Sequence, residues 1–184
     1  HGIDADLHLK LSLGKVYWES DLIFGYAKSK ITRYLASSTV ASAYVNLGMT
    51  VSPVIGKPVY SIFSYRWAGL DPTTGDPRGY VEGKPSTNYT AILTGETASL
   101  IYHGSAVPTI FGAYRNTFTI KKLSVSANLL YKLNYFFRKS SINYSALISN
   151  WKGHQDYTRR WQQPGDETFT NVPSLIYPNI GNRD

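Results

Sequence analysis

The longest alternation of apolar and polar positions along the chain runs through residues 123–137. Apolar or aromatic side chains occupy every second position of one set: Leu123, Val125, Ala127, Leu129, Tyr131, Leu133 and Tyr135. Polar side chains fill most of the positions between them, and Leu130 is the exception. Because successive side chains of a strand point to opposite faces of a sheet, this period of two predicts a β-strand with one apolar face.

Similar alternation elsewhere predicts further strands. Residues 7–13 and 16–28 alternate on either side of Gly14-Lys15, a tight-turn signal, and together predict a hairpin of long strands. Weaker patterns predict strands in residues 59–67, 97–103, 109–120 and 141–149. The stretches 29–50, 78–96 and 151–184 are predicted to be loops, and no segment predicts a helix.

These patterns place the chain in the all-β class, as an antiparallel meander of long strands. A strand of about 9–11 residues that is apolar on one face and polar on the other can cross an outer membrane. Its apolar face then contacts lipid and its polar face lines a wet lumen. We therefore predict that the chain is part of a large transmembrane β-barrel.

The composition narrows the function classes. The chain has 184 residues and no cysteine, which excludes disulfides, a thiolate nucleophile and cysteine-based zinc sites. Its 15 tyrosines and 4 tryptophans suit the aromatic girdles of a membrane barrel, and they also suit the aromatic core of a β-sandwich. The net charge of +7 is spread over short clusters without a long basic run, so we expect no nucleic-acid partner.

Four segments resemble, in order, motifs of the SusC/RagA-type TonB-dependent outer-membrane transporters. Residues 18–24 are similar to that family's W-x-T-x-x-N-F strand, and residues 56–77, which contain Ala-Gly-Leu-Asp-Pro-Thr-Thr-Gly-Asp-Pro, resemble its A-G-L-D-P-x-T-G-D-P stretch. Residues 107–121 resemble its N-T-F strand, and residues 160–173 resemble its R-W-x-x-P-G-D loop. Ile120 stands where the family often has Tyr, and Ala113-Tyr114 stands where Gly-Phe is common.

The resemblance implies that residues 1–184 form a single segment of the later strands of a barrel of about 22 strands. It implies import of oligosaccharides or peptides across the outer membrane of a Gram-negative, Bacteroidetes-like bacterium. It also implies contact with outer-membrane lipid, a SusD-like surface lipoprotein as partner, and energy supplied by TonB through an N-terminal plug. We expect the signal, the plug and the barrel C-terminus to lie outside this segment.

The chain carries no recognisable catalytic, cofactor or metal motif, and we predict that it is not an enzyme. Asp71 and Glu82 stand at positions one and twelve of an EF-hand pattern, but Asp76 stands where that loop needs Gly. Turns that end a strand are therefore favoured over an ion site at Asp71 and Asp76. Asp166 and Glu167 would point apart in extended chain, which does not suit paired acid-base catalysis.

One loop offers possible ligand contacts. It carries the aromatic residues Trp151, Tyr157, Trp161 and Phe169. Aromatic rings suit the faces of sugars, although an ordinary packed loop explains the same residues. The alternative function left open by the sequence is a soluble, secreted β-sandwich that binds carbohydrate.

Overall fold

A computed structural model describes residues 1–35, 38–45, 51, 53–178 and 183. Antiparallel sheets are the main regular structure and helices are few, which confirms the all-β part of the fold prediction. The strands are β1 (Gly2–Leu13), β2 (Val16–Ala27), β3 (Ser61–Ser64), β4 (Gly79–Val81), β5 (Lys84–Ser86), β6 (Ile101–Ser105), β7 (Ile110–Ile120) and β8 (Leu123–Leu133). The α-helices are α1 (Ser42–Val45), α2 (Tyr89–Thr94) and α3 (Tyr144–Asn150). Short 3-10 helices occur at Thr97–Ser99, Gln155–Arg159 and Asp166–Thr168.

The chain divides into two compact units. The sheet unit comprises residues 1–37, 51–62 and 103–137, and the loop unit comprises residues 38–50, 63–102 and 138–184. The strands β3 and β6 pair with each other, and the boundary between the units falls inside both of them. No helix in the described residues is both long enough and apolar enough to span a membrane.

The sheet unit is built on one four-stranded antiparallel sheet with the order β1-β2-β7-β8. Two-residue turns, Gly14-Lys15 and Lys121-Lys122, join β1 to β2 and β7 to β8. Each turn contains a residue with positive φ, 64° at Gly14 and 55° at Lys121, as such tight hairpins require. These strands confirm the predicted hairpin and the long alternating strands.

The connections between strands are short at one end of the sheet and long at the other. Both two-residue turns lie at the same end, because Val16 of β2 pairs with Ile120 of β7. At the opposite end the chain leaves β2 and returns to β7 only after residues 28–109. The four strands do not close into a barrel within the described part of the chain, and β1 and β8 form its two edges.

The loop unit holds the buried apolar core of the described residues. Its buried side chains are Ala41, Phe63, Leu70, Ile142, Tyr144 and Trp161. Tyr144 is fully buried, and its hydroxyl donates a hydrogen bond of 2.5 Å to the carbonyl of Pro173. Phe63 contacts the rings of Tyr44 and Tyr102 at centroid distances of 6.0 and 5.4 Å.

The prediction of a strand at 141–149 is wrong, as is the prediction that the chain has no helix. Residues 144–150 form α3. The residue before it, Asn143, is the N-cap, and its side chain accepts a 2.7 Å hydrogen bond from the backbone N–H of Ala146. Asn88 caps α2 in the same way through Ala91. In both helices the asparagine side chain satisfies a backbone N–H of the first turn that has no partner within the helix. The segments Asn88-Tyr89-Thr90 and Asn143-Tyr144-Ser145 are therefore helix starts.

Other predicted boundaries also change. The strand predicted at 59–67 is confined to β3, and the strand at 97–103 shifts to β6 after a 3-10 turn. The long strand ends at Leu133, because Asn134 takes a left-handed φ of 55° and directs the chain out of the sheet. The loop predicted at 78–96 contains β4, β5 and α2. The predicted loops 29–50 and 151–184 lie partly outside the described residues. Their described parts contain no strand, but they include α1 and the last two 3-10 helices.

Candidate functional site

One face of the four-stranded sheet is apolar across all four strands. The register places Leu7, Leu22, Tyr114 and Leu129 in one row, and Leu11, Trp18, Phe118 and Val125 in another. These side chains are not packed away from the surface: Leu129, near the middle of β8, is 64% exposed. An exposed apolar surface this continuous marks a contact with lipid or with another protein.

Two polar side chains, Ser20 and Asn116, lie within this face. Ser20 is buried, and Asn116 accepts a 3.0 Å hydrogen bond from the indole N–H of Trp18. The Trp18 ring also stacks on Phe118, with a centroid distance of 5.9 Å and an interplanar angle of 6°. Because hydrocarbon offers no hydrogen-bond partners, local satisfaction is what a lipid-facing surface requires.

The opposite face of the sheet is polar. One row across the four strands consists of His8, Asp21, Arg115 and Asn128. The adjacent row contains an ion pair between Lys10 and Glu19 at 3.0 Å, continued by a 2.9 Å hydrogen bond between the hydroxyls of Thr117 and Ser126. The sheet is therefore amphipathic, because its ionic side chains all lie on this side, although Ile23, Phe111 and Leu130 lie there as well.

The loop unit contains a cavity of about 790 Å³. The described residues that line it are Ser42, Ala43, Val45, Tyr65, Arg66, Trp67, Pro77, Arg78, Gly79, Tyr89, Ile92, Leu93, Arg138 and Arg183. Four of them are arginines and three carry aromatic rings, and none is acidic. This lining combines positive charge with flat apolar surface.

Each arginine of the cavity is held differently. The Nη2 atom of Arg138 donates to the carbonyl of Phe63 at 2.6 Å, and that of Arg78 donates to the carbonyl of Ala68 at 3.3 Å. The guanidinium of Arg66 lies 4.9 Å from the ring centroid of Tyr80. Arg183 is buried and forms an ion pair of 2.5 Å with Asp76. Only Arg183 of the four has a salt bridge within the described residues.

Tyr65 lies on the cavity wall, and its surroundings shift the pKa of its hydroxyl. Burial raises the pKa of its hydroxyl, and the nearby Arg138 cation opposes that rise. Tyr65 and Arg66 also line a second, smaller cavity of about 230 Å³ beside the β4–β5 hairpin. The apolar and cationic groups of the site are therefore close enough to influence one another.

The aromatic residues that the sequence suggested as ligand contacts are not brought together at this cavity. Trp151 and Phe169 are 92% and 87% exposed, and Tyr157 lies against Arg160, whose guanidinium is 4.1 Å from its ring centroid. Trp161 is only 7% exposed, and its indole N–H donates to Glu167 at 3.1 Å. Trp161 is therefore part of the packed core, while Trp151 and Phe169 remain open to solvent.

Asp71 and Asp76 stabilise a turn and a loop contact. Asp71 Oδ1 accepts hydrogen bonds from the Thr73 N–H at 2.9 Å, the Thr73 hydroxyl and the Thr74 N–H at 3.1 Å. Asp76 pairs with Arg183. Within the described residues, no group of three or more acidic or histidine side chains is placed to hold a metal ion. The arrangement is that of an Asp-capped turn.

We expect this turn to make the loop unit less stable at low pH. Hydrogen bonds from Thr73 lower the pKa of Asp71 below its ordinary value of 3.8. Such a carboxylate stabilises the fold above its unfolded pKa, and the contribution is lost as pH falls through the folded pKa. The melting-temperature difference between wild type and Asp71→Asn should therefore shrink as pH falls from about 6 to about 3. Thr73→Val, which removes one donor, should weaken this pH dependence; a difference that stays constant with pH would contradict the assignment.

Asp166 and Glu167 do not lie in extended chain, so that part of the sequence interpretation is wrong. They belong to a 3-10 turn in which Asp166 accepts from the N–H groups of Gln162 and Gln163 at 2.9 and 3.0 Å. Glu167 accepts from Trp161 and from the N–H of Gly165 at 2.8 Å. The hydrogen bond from its own backbone N–H, and then these two, lower the pKa of Glu167. Both carboxylates stabilise the loop around Trp161.

Sequence analysis did not identify the arginine-lined cavity. Its one local signal is that Arg66 and Arg78 flank the Asp-Pro-Thr-Thr-Gly-Asp-Pro turn, which a bridge between Leu70 and Pro77 closes. Arg138 and Arg183 come from distant parts of the chain, so only the fold shows that they share a cavity. The amphipathic sheet and this cavity are therefore the two candidate functional surfaces of the described residues. No protein-family model matches the chain, and no curated protein sequence matches it.

Proposed function

We propose that the chain forms part of the barrel wall of an outer-membrane, TonB-dependent importer of the SusC/RagA type. The observation that carries this proposal is the run of four neighbouring strands of 11 or 12 residues, in which one face is mainly apolar and the other carries all the charged side chains. Strands of this length and pattern, tilted across a bilayer, match the hydrocarbon thickness.

The connections between strands support the same proposal. Outer-membrane barrels have short turns on the periplasmic side and longer loops on the extracellular side. Here both two-residue turns lie at one end of the sheet, and residues 28–109 connect β2 to β7 at the other. In the proposed orientation Gly14-Lys15 and Lys121-Lys122 are periplasmic, and the long connection is extracellular.

The proposed role divides the work between the two faces of the sheet. Lipid covers the row that contains Leu129, and the row that contains Arg115 faces the lumen through which a nutrient passes. Oligosaccharides or peptides are the nutrients that the resemblance implies, with a SusD-like lipoprotein as lid and TonB as the energy source. Ionic groups such as Lys10 and Glu19, and hydroxyls such as those of Thr117 and Ser126, give the lumen wall hydrogen-bonding capacity.

The outer edges of β1 and β8 need further strands as partners if the sheet is part of a barrel wall. Unpaired backbone N–H and C=O groups in hydrocarbon cost several kcal/mol each. Strands must therefore pair with both edges in a membrane, and the four strands described here are not stable as an isolated bilayer-spanning sheet. Because detergent molecules rearrange around the unpaired edges of β1 and β8, a detergent solution is the appropriate medium for testing the chain by itself.

The test uses the tryptophan on the apolar face as a reporter. In micelles that contain brominated lipid, we expect bromine to quench Trp18, which lies on that face, and not Trp151, which lies in the loop unit. Bromine-dependent quenching should therefore be lost in Trp18→Phe and kept in Trp151→Phe. A chain that is folded and monodisperse in buffer without detergent, and unquenched in lipid, would instead favour the secreted β-sandwich that binds carbohydrate.

A further inference from the structure

We propose that the arginine-lined cavity of the loop unit binds an anionic ligand: carboxylate, sulfate or phosphate groups on a body with flat apolar faces. The cavity volume of about 790 Å³ lies within the range of about 300–1,000 Å³ found for small-molecule sites. The site belongs to the loop unit alone, and its ability to bind an anion does not depend on the sheet entering a membrane.

The charge balance of the cavity favours an anion. Its lining contains four arginines and no acidic residue among the described residues. Asp76 neutralises Arg183, whereas Arg66, Arg78 and Arg138 have no salt bridge in the described part of the chain. Cations around one cavity raise its positive potential and attract anions.

A carboxylate close to Arg78 does not occupy the site. Asp71 is close enough for the Arg78 cation to lower its pKa, but its carboxylate is hydrogen-bonded to Thr73 and Thr74. It forms no salt bridge with Arg78 in the described structure. Arg78 therefore keeps its capacity to pair with a ligand.

Arg78 also carries an unused donor. Its Nε–H is buried and has no hydrogen-bond acceptor among the described residues, although its Nη2 is held by the carbonyl of Ala68. A buried donor without an acceptor is costly, and native structures satisfy nearly all of them. A planar guanidinium can donate two parallel hydrogen bonds to a carboxylate, sulfate or phosphate, so such a ligand would satisfy this atom once the side chain moves to expose it.

The rest of the lining suits the body of the ligand. Tyr65, Trp67 and Tyr89 supply aromatic rings, and Ile92 and Leu93 supply aliphatic surface. Trp67 is about half exposed, so its ring is accessible. An acidic oligosaccharide, with flat sugar faces and carboxylate or sulfate groups, is the case that fits the proposed import function, and this narrower statement rests on that function.

Binding to the full chain in detergent tests the inference. The probes are trigalacturonate, its neutral methyl ester and inorganic pyrophosphate, followed by calorimetry and by tryptophan fluorescence. We expect at least one anionic probe to bind, the neutral ester to bind at least tenfold more weakly, and affinity to fall as salt rises. Binding of trigalacturonate would assign an acidic saccharide, and binding of pyrophosphate alone would assign a phosphate ligand; both support an anion site.

Arg66 provides the matched substitutions, because its side chain contacts Tyr80 and is not buried. Arg66→Gln should lower the affinity for the anionic probe roughly 10-fold or more, since hydrogen bonds to charged groups contribute more binding energy than hydrogen bonds between neutral groups. Arg66→Lys should restore part of the affinity, and Arg159→Gln, an exposed arginine of the same unit outside the cavity, should leave it unchanged. Equal binding of acidic and neutral probes, no binding of any anion, or equal losses in Arg66→Gln and Arg159→Gln would overturn the inference. None of these readouts depends on transport or lipid contact.

Discussion

Leu129→Arg should remove the chain from lipid, whereas Asn128→Arg, one position away in β8, should leave lipid association almost unchanged. The two residues are consecutive, so their side chains lie on opposite faces of the sheet. Arginine at the middle of a lipid-facing strand costs about 2–4 kcal/mol, and a lumen-facing arginine stays hydrated. Leu129 pairs with Tyr114 and Asn128 pairs with Arg115, which places them in the apolar and the polar row.

The measurement is the partition of each variant between lipid-containing micelles and buffer, followed by size-exclusion chromatography, with urea unfolding of the detergent complex as a second readout. Circular dichroism of both variants in detergent controls for loss of the sheet. Asn128→Arg adds a positive charge beside Arg115, so moderate salt should be present to screen their repulsion. Equal partition of both variants, or a larger loss for Asn128→Arg, would contradict the assignment of the lipid-facing side.

Gly75→Ala should destabilise the loop unit by about 2–5 kcal/mol, the sum of backbone strain and overpacking. Gly75 has a φ of 70°, a conformation that side chains with a Cβ disfavour. A Cβ there would also lie 2.5 Å from Cε3 of the buried Trp161 ring. The ring cannot easily withdraw, because its indole N–H is hydrogen-bonded to Glu167.

Gly83→Ala separates the two causes. Gly83 has a similar φ of 78°, in the turn between β4 and β5, but a Cβ there would meet no atom within 4 Å. It should therefore cost only the strain, about 1–2 kcal/mol. Chemical unfolding of both variants in detergent, followed by near-ultraviolet circular dichroism, gives the comparison. If the two alanines cost the same, the contact between Gly75 and Trp161 does not limit this position.

The strands of the sheet unit were predictable because their signal is local. Leu129 and Asn128 already show the alternation in sequence, and Gly14-Lys15 already specifies a tight hairpin. A side-chain period of two follows from strand geometry alone, and it requires no knowledge of the neighbours. The pairing of β2 with β7 is different, because residues 28–109 separate them and no local pattern specifies that contact.

The helices and the cavity were less accessible to sequence reasoning. Asn143 was a readable helix cap, but α3 has only seven residues, and the same apolar positions also fit a short strand. The aromatic residues predicted as ligand contacts in residues 151–169 differ in burial. Trp161 is in the core, whereas Trp151 is exposed. Burial depends on contacts with distant residues such as Gly75, which no sequence period reports.

The sequence by itself determined which strand faces are apolar and where the hairpins turn, because both follow from backbone geometry over a few residues. Only the tertiary structure decided that four strands unite their apolar faces into one surface, since pairing between distant strands depends on side-chain packing and register. The tertiary structure alone also placed Arg66, Arg78, Arg138 and Arg183 around one cavity. Their shared positive field is a property of distances in space, and distances along the chain do not contain it.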